Sequence, residues 1–146
     1  MKNFKHPYGR TSQGRLDTCH DDIQMIWGEI AKYINTTVLC GHREEAEQNS
    51  AFESNHSKVQ WPNSTHNSLP SMGIDSAPWI ASIRNVDYND YKALSKFAGF
   101  ILLIAIQLFR EGKTTHLIKW GGDWDMDGRT IDQTFNDLVH FELYKP

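Results

Sequence analysis

The sequence lacks the features that mark several large functional classes. Its 15 Lys and Arg residues are outnumbered by 18 Asp and Glu residues, the formal net charge is −3, and no basic cluster is present. Electrostatic binding to nucleic acid and polybasic docking to membranes are therefore not expected. The two cysteines, Cys19 and Cys40, are too few for a disulfide framework and lack the spacing of a metal site, so synthesis in a reducing cytoplasm is expected.

Long apolar segments are also missing. No apolar segment resembling a secretory signal follows Lys2 and Lys5, and the longest apolar run, 97–109, has thirteen residues. Because about 20 apolar residues are needed to span a bilayer, this run predicts a buried helix and no stable membrane insertion. A chain of 146 residues buries about 68 to 70% of its unfolded surface, which suffices for one core. We therefore expect a single domain over 1–146 with no separate module.

Hydrophobic periodicity predicts three helices. The first has a cap at Thr18, apolar residues at three- and four-residue steps and an end at Asn35, and the others cover 44–52 and 90–110. The last helix is apolar on most faces towards its end, so it is expected to be largely buried.

Short strands are predicted where β-branched residues or alternating patterns occur, over 36–40, 72–77, 114–120 and 138–144. Residues 53–71 are rich in Ser, Asn and Pro, which is typical of a long irregular loop that is either functional or disordered. Since helices and strands do not alternate regularly, the pattern indicates an α+β fold.

The seven histidines direct the search for a metal site. Neither HExxH nor CxxC occurs, so any ligands must come together from separate segments. His66 precedes Asp75 across a chain reversal, and Asp137 precedes His140 at the start of a predicted strand. Two histidines and one aspartate would leave a fourth tetrahedral position for water, the pattern of catalytic zinc. The alternative is that His140 is an ordinary sheet histidine and His66 a surface residue of the loop.

Five segments of the chain occur in a familiar order: SQGRLDTCHDDIQ, GHREEAEQ, STHNSLPSMGIDSAP, IKWGGDW and DLVHFEL. This order resembles the zinc-dependent peptidoglycan peptidases, which include the vancomycin-resistance DD-peptidases and the phage L-alanyl-D-glutamate endopeptidases. The resemblance extends from about Ser12 to Leu143, and the endolysin branch is the most similar. It implies a small single domain of the Hedgehog and DD-peptidase type, with two to three helices packed on a short, mostly antiparallel sheet.

The resemblance also implies roles for individual residues. It makes His66, Asp75 and His140 the zinc ligands and Asp137 the general base. Arg43 would hold a substrate carboxylate or stabilise the developing oxyanion. Gln48 would either pack beside this arginine or contact the substrate.

Two departures from the family pattern concern spacing and the base. Eight residues separate His66 from Asp75, whereas many members have six, and Gly73 stands where the shorter spacing would need a carboxylate. The base of the DD-peptidases is usually glutamate, so Asp137 agrees better with the endopeptidase branch.

The implied activity is zinc-dependent hydrolysis of the L-alanyl-D-glutamate bond in bacterial peptidoglycan by a phage endolysin. The implied protein is a monomer that binds the stem peptide, stays in the host cytoplasm and depends on a holin-like membrane protein to reach the wall. Two alternatives are a D-alanyl-D-alanine carboxypeptidase of the same fold and a non-catalytic zinc-binding module of a phage particle.

A second metal site is suggested by DWDMDG, in which Asp123, Asp125 and Asp127 precede Gly128. This is the opening half of a calcium loop, and Asp132 could supply a later oxygen. A regulatory calcium ion and a solvated acidic turn are both consistent with the pattern.

The other histidines and the tryptophans are less informative. His42 and His56 flank the predicted helix after Arg43 and are expected on the surface, with substrate contact as the alternative. Among the tryptophans, Trp61 and Trp124 are the two expected near the site.

Overall fold

A four-stranded antiparallel sheet organises residues 6–146, the part of the chain that the computed structural model describes. The strands are β1 (Thr36–Cys40), β2 (Gly73–Pro78), β3 (Leu117–Trp120) and β4 (His140–Tyr144), in the spatial order β1-β2-β4-β3. The helices are α1 (Arg10–Leu16), α2 (Asp21–Ile30), α3 (Glu45–Glu53) and α4 (Tyr91–Arg110), with a 3₁₀ turn at Thr65–Asn67. Residues 1–5 of the expected domain lie outside the described residues.

The expected α+β fold and antiparallel sheet are confirmed, but the expected number of helices is wrong. The described residues form four α-helices, because α1 was not predicted. Its sequence, RTSQGRL, buries only Ser12 and Leu16 and so offers no hydrophobic periodicity. Polar contact with β1 holds it in place, since Ser12 Oγ accepts a hydrogen bond from Val38 N at 3.0 Å.

The start of α2 differs from the predicted cap at Thr18. His20 is the capping residue, and its Nδ1 accepts a hydrogen bond from Asp22 N at 3.0 Å. Thr18 Oγ1 donates instead to Arg15 O and accepts from His42 N, at 2.6 and 2.9 Å. The helix ends at Ile30 and turns follow it, so the predicted end at Asn35 is several residues too late.

One face of the sheet forms the hydrophobic core. Ile74 and Ser76 of β2 and Phe141 of β4 are fully buried there, against Trp27 of α2. The Trp27 indole donates to Ser76 Oγ at 2.9 Å, and its ring meets Phe141 edge to face. Alternation along each strand therefore directs the intervening residues, Asp75 and His140 among them, to the opposite face.

Helix α4 covers the core with only one of its faces. Leu94, Phe97 and Ile101 are buried, whereas Phe100 and Leu103 are 45% and 53% exposed. The expectation of a largely buried helix is therefore wrong, because α4 packs on the sheet with one face and no layer of described residues covers its other faces. By length and a mean hydropathy of 1.7 the helix qualifies as a possible membrane span, although a core helix of a soluble domain passes the same test.

Candidate metal centre and active site

Three neighbouring strands place polar side chains in one row across the sheet. In the register of the sheet Asp75 of β2 lies opposite Cys40 of β1 on one side and opposite His140 of β4 on the other. Residues directly opposite in antiparallel strands have Cβ atoms about 4.5–5.5 Å apart, so their side chains meet. A bulge between Val38 and Cys40 matters here, because it allows Val38 to face the core while Cys40 joins the row on the other face.

The 3₁₀ turn brings His66 onto this row from outside the sheet. Ser64 begins the turn by accepting a hydrogen bond from His66 N, and the Asn67 side chain accepts one from Ser64 N. The turn can approach β2 closely because Gly73 has no side chain. A Cβ at Gly73 would collide with Thr65 Oγ1 and press on the His140 ring, which explains why no carboxylate occupies this position.

The three predicted ligands converge as a result. His66 Nε2 lies 3.1 Å from Asp75 Oδ1 and 3.1 Å from His140 Nδ1, and the last two atoms are 3.0 Å apart. Ligand atoms at about 2.0–2.1 Å from a tetrahedral zinc ion would be separated by about 3.3 Å, close to the observed triangle. Both imidazoles are buried and the carboxylate is half-buried.

Each histidine uses its other nitrogen for a fixed hydrogen bond. His66 Nδ1 lies 2.7 Å from Gly41 O, an atom that can only accept, so this nitrogen carries a proton. His140 Nε2 lies 3.0 Å from Glu142 Oε2 and donates to that carboxylate. In the neutral rings the remaining nitrogens both direct lone pairs at Asp75. Such a convergence of lone pairs requires a proton or a metal ion between them, and hydrogen bonds of this kind typically orient metal-bound histidines.

The electrostatics of the chain without a metal agree with this geometry. Burial acts to lower the pKa of His66, but the hydrogen bond with Asp75 and the charge of that residue outweigh it and raise the pKa to about 10. Burial likewise opposes protonation of His140, and Asp75 and Glu142 raise its pKa to about 9. Burial acts to raise the pKa of Asp75, yet His140 and His66 hold it well below its usual range. Without a metal, the His66 and His140 rings therefore bind protons at the position where a cation would bind.

Asp137 lies beside the row, in the loop just before β4. Asp137 N donates to Gly121 O at 3.0 Å, and Gly121 N donates to His140 O at 2.9 Å. Gly121, which directly follows β3, therefore holds both Asp137 and His140. A Cβ at Gly121 would collide with the Asp137 carbonyl, which explains the glycine in IKWGGDW. Burial, followed by the charge of Asp75, raises the pKa of Asp137. An Asp137 carboxyl with a raised pKa beside a metal site is suited to proton transfer.

Arg43 lies at the edge of the row and is held by Gln48. Arg43 Nη1 donates to Gln48 Oε1 at 3.0 Å, and Arg43 Nη2 lies 3.6 Å from Asp75 Oδ2, the carboxylate oxygen that does not face the histidines. Gln48 is fully buried, and its amide nitrogen donates to Ser57 Oγ and Val59 O. The structure therefore favours packing over substrate contact for Gln48, which positions both Arg43 and the loop that follows α3.

Arg43, Asp137 and the three predicted ligands line a cleft of about 360 Å³. Its walls include Lys58 and His56 from the loop after α3, and Trp124 and Phe135 from the loop between β3 and β4. The Trp124 and Phe135 rings are stacked, and the Trp124 ring lies 5.7 Å from that of His140. Of the two tryptophans expected near the site, Trp124 lines the cleft and Trp61 does not; His42 is also absent from its walls.

Two residues next to the predicted ligands were not themselves predicted. Glu142 could have been found, because the i, i+2 spacing in a strand places it on the same face as His140. Cys40 could not, because only the bulge directs its side chain to this face, where its sulfur lies near His66 and Asp75.

The acidic loop between β3 and β4 forms only part of the predicted calcium site. Carboxylate oxygens of Asp123, Asp125 and Asp127 lie within 4.8 Å of one another, and Gly128 adopts a positive φ of 89°. Asp132 is not in this group; its carboxylate pairs with Arg129 at 3.5 Å. Trp124, which lies between Asp123 and Asp125 in this loop, forms part of the wall of the cleft.

The sequence comparison identifies the family. A family model described as phage L-alanyl-D-glutamate peptidase matches residues 3–144. The chain belongs to this family. The protein is therefore a hydrolase that acts on peptidoglycan. Family membership favours the L-alanyl-D-glutamate peptidase activity over the D-alanyl-D-alanine carboxypeptidase and non-catalytic alternatives.

A solved structure shares the fold of this phage L-alanyl-D-glutamate peptidase. The crystal structure of the Serratia marcescens L-Ala D-Glu endopeptidase ChiX superposes with a TM-score of 0.70 at 18% sequence identity. The alignment covers 98% of this chain and 94% of ChiX. No match was found among curated proteins.

Proposed function

We propose that this peptidase hydrolyses the L-alanyl-D-glutamate bond of peptidoglycan with one zinc ion held by His66, Asp75 and His140. The observation that carries the proposal is the convergence of two imidazole nitrogens and one carboxylate oxygen at separations of 3.0–3.1 Å, with Asp137 adjacent. Three protein ligands leave an open position, as catalytic rather than structural zinc sites do. The Hedgehog and DD-peptidase type of fold implied by the sequence is part of this proposal.

The reaction divides between the metal and the chain. Bound zinc would polarise the scissile carbonyl and acidify the attacking water. Asp137 accepts a proton from that water as the new C–O bond forms, and it returns the proton to the leaving amine of D-glutamate as the C–N bond breaks. General acid–base catalysis of this kind contributes about 10²–10⁴-fold to rate. In the chain without a metal, burial and then the charge of Asp75 raise the pKa of Asp137. A raised pKa favours proton uptake by a general base.

Arg43 and Lys58 give the cleft a positive side. Arg43 has guanidinium donors beyond the one that it gives to Gln48, and Lys58 lies over the Phe135 ring, with Nζ 5.3 Å from its centroid. D-glutamate in a stem peptide carries a free carboxylate next to the scissile bond. A guanidinium group binds such a carboxylate through paired hydrogen bonds, so we assign the D-glutamate side of the substrate to this part of the cleft.

The proposal is tested by digesting purified peptidoglycan with the zinc-loaded protein and identifying the products by mass. Cleavage after L-alanine releases peptides that begin with D-glutamate, whereas a carboxypeptidase releases only terminal D-alanine. Asp137→Asn is expected to keep one zinc ion per chain and to lower kcat by about 10²–10⁴-fold. Normal turnover by Asp137→Asn would remove the assignment of the base. Loss of terminal D-alanine alone would remove the assignment of the bond.

The acidic loop is the proposed binding site of a second, regulatory ion. We propose that Ca²⁺ binds Asp123, Asp125 and Asp127, because three carboxylates so close together repel one another without a cation. Binding would stiffen the loop that carries Trp124 and precedes Asp137. Calorimetric titration of the zinc-loaded protein with CaCl₂ is expected to give saturable heat, and Asp125→Asn is expected to weaken it. Absence of heat, with activity unaffected by a calcium-selective chelator, would contradict the proposal.

We further propose that the protein is a monomeric endolysin. It would accumulate in the host cytoplasm until a holin-like protein opens the membrane. Expression in a sensitive bacterium with and without a holin tests this role, and rapid lysis without a holin would contradict it.

A further inference from the structure

A second cavity adjoins the candidate active site. It has a volume of about 530 Å³, and Asp137 belongs to the walls of both cavities. Its other walls come from the segment before α4, the first turns of α4, the end of β3 and the loop before β4. The proposed general base therefore lies where the two cavities meet, and a substrate that places its scissile bond at Asp137 can extend into both.

Exposed aromatic and apolar side chains distinguish the second cavity. Tyr88 and Tyr91 are 52% and 62% exposed, and Ile131, on the loop before β4, is 86% exposed. Exposed tyrosines in a concave site that also contains Ser95 and Asn136 offer flat ring faces beside hydrogen-bonding groups. Sugars present the same combination, since axial C–H groups form an apolar face and hydroxyl groups surround it.

The two cavities also differ in charge. Arg43 and Lys58 line the first, whereas no Lys, Arg or His side chain is found among the described residues that line the second. The anionic D-glutamate side of a stem peptide is therefore favoured in the first cavity. The second cavity suits the opposite side, where L-alanine is joined through an amide to the lactyl group of N-acetylmuramic acid.

The backbone that carries the two tyrosines is held in place before any ligand binds. Asp90 caps α4 by accepting a hydrogen bond from Ala93 N at 3.0 Å, and Asp87 accepts one from Asn89 N at 3.0 Å. Val86 and Leu94, on either side of this segment, pack in a small apolar cluster with Ala77. A site whose backbone is already ordered loses less entropy on binding.

We propose that the second cavity is a binding subsite for the N-acetylmuramic acid residue that carries the stem peptide, with Tyr88 and Tyr91 stacking on the sugar. This inference rests on the proposed function and extends it, because it assigns a direction to the substrate. The sugar lies on the Tyr88 side of Asp137 and D-glutamate lies on the Arg43 side. The protein would then recognise stem peptides that are still attached to glycan.

The test compares two defined substrates, the free stem tetrapeptide and the same peptide bearing N-acetylmuramic acid. The zinc-loaded native protein is expected to cleave the sugar-bearing substrate with a kcat/KM about tenfold higher, since stacking contacts of about 1.4 kcal/mol correspond to tenfold. Tyr88→Ala and Tyr91→Ala are each expected to lower the ratio of the two kcat/KM values severalfold. Tyr91→Phe, which keeps the ring, is expected to restore most of the preference, and Tyr33→Ala is a matched control because Tyr33 is 69% exposed and outside both cavities.

A binding measurement separates this inference from the assignment of the bond. N-acetylmuramoyl-L-alanine, which contains no L-alanyl-D-glutamate bond, is titrated into the zinc-loaded protein and its tyrosine variants. Saturable binding that Tyr88→Ala and Tyr91→Ala weaken supports the subsite whichever bond is cut. Equal kcat/KM values for the two substrates in the native protein, or binding unaffected by either tyrosine variant, would overturn it. If the native protein cleaves neither substrate but binds the muramoyl compound, only the proposed function fails.

Discussion

Ring orientation at single residues determines whether the row across the sheet can bind a cation. Gly41 O and Glu142 each take one N–H from a histidine, and this leaves the opposite nitrogen of each ring facing Asp75. The backbone carbonyl cannot be removed by mutation, but Glu142 can. Glu142 also accepts a hydrogen bond from Thr65 Oγ1 at 3.2 Å, so it attaches the 3₁₀ turn to β4 as well.

We therefore predict that Glu142→Ala weakens zinc binding by about 10–100-fold, the usual effect of removing the hydrogen-bond partner of a metal-bound histidine. Glu142→Gln keeps an acceptor for His140 and is expected to lose less. Competition with a chromophoric chelator measures the affinity. Glu111→Gln is the control, because the one ion pair of Glu111 within residues 6–146 is with the exposed Lys113. Native affinity in Glu142→Ala would show that the ring orientation does not depend on this carboxylate.

Sequence spacing alone could not have predicted that these residues come together. His66 and His140 are separated by 73 residues in the sequence, and their contact depends on the β2–β4 register and on a 3₁₀ turn that no periodic pattern announces. The family resemblance supplied the ligand set, because its ordered motifs carry the non-local information. Glu142 follows from strand alternation once β4 is predicted, whereas Cys40 depends on a bulge that the sequence does not reveal.

At the scale of elements, the end of β3 positions the proposed base. Gly121 contacts Asp137 so closely that its missing Cβ would meet the carbonyl oxygen, the carbonyl carbon and the Cβ of that residue. The proposed zinc ligands come from β2, β4 and the 3₁₀ turn, so a change at Gly121 should move the proposed base more than the metal.

Gly121→Ala is accordingly expected to lower kcat strongly, since a misplacement of about 1 Å can cost about 10²-fold, with zinc still bound. Single-turnover rates and metal analysis on the same sample measure the two effects. Gly14→Ala in α1 is the matched control, because a Cβ there meets nothing within 4 Å, and it is expected to stabilise the helix by about 0.5–1 kcal/mol. A native rate in Gly121→Ala would mean that the loop carrying Asp137 adapts without loss.

The elements themselves were predictable in proportion to their hydrophobic pattern. β1 was predicted at its observed bounds, 36–40, and α4 within a residue, because both have strong local signals. The polar helix α1 was missed, since its stability comes from contact with β1 rather than from its own sequence. The cap of α2 was misplaced because Thr18 binds Arg15 and His42, contacts that exist only in the folded chain.

At the scale of the whole molecule, the sheet separates a stabilising face from a chemical face. Helices α2 and α4 cover the stabilising face. The chemical face carries the metal row, which consists of Cys40, Asp75 and His140 with His66 beside them, beneath two irregular loops. Asp22 joins the start of α2 to the segment before β3. Its Oδ2 atom accepts hydrogen bonds from Thr115 N, Thr115 Oγ1 and His116 N. The same oxygen lies 2.8 Å from His116 Nδ1. This buried contact lies outside the metal row, so it can be tested without disturbing catalysis.

The contact predicts how stability depends on pH. Burial acts to raise the pKa of Asp22, but the hydrogen bonds from His116 and Thr115 outweigh it and lower the pKa. The stabilisation is therefore complete above the unfolded value of about 3.9 and is lost as the pH falls through the lower folded value. Asp22→Asn is expected to reduce the free energy of unfolding at neutral pH by about 1.5–3 kcal/mol and to make its decline in acid shallower.

Urea unfolding of the metal-free protein across the acid range measures this effect, with Asp21→Asn as the control because Asp21 lies beside Asp22 in the first turn of α2 but is exposed. The control retains the contact with His116 and should keep the native slope of stability against pH. If Asp22→Asn and Asp21→Asn changed stability equally at every pH, the effect would come from charge at the helix start rather than from the link between α2 and β3. If the buried carboxylate is responsible, the difference in the free energy of unfolding between the native protein and Asp22→Asn becomes smaller as the pH falls below about 3.9.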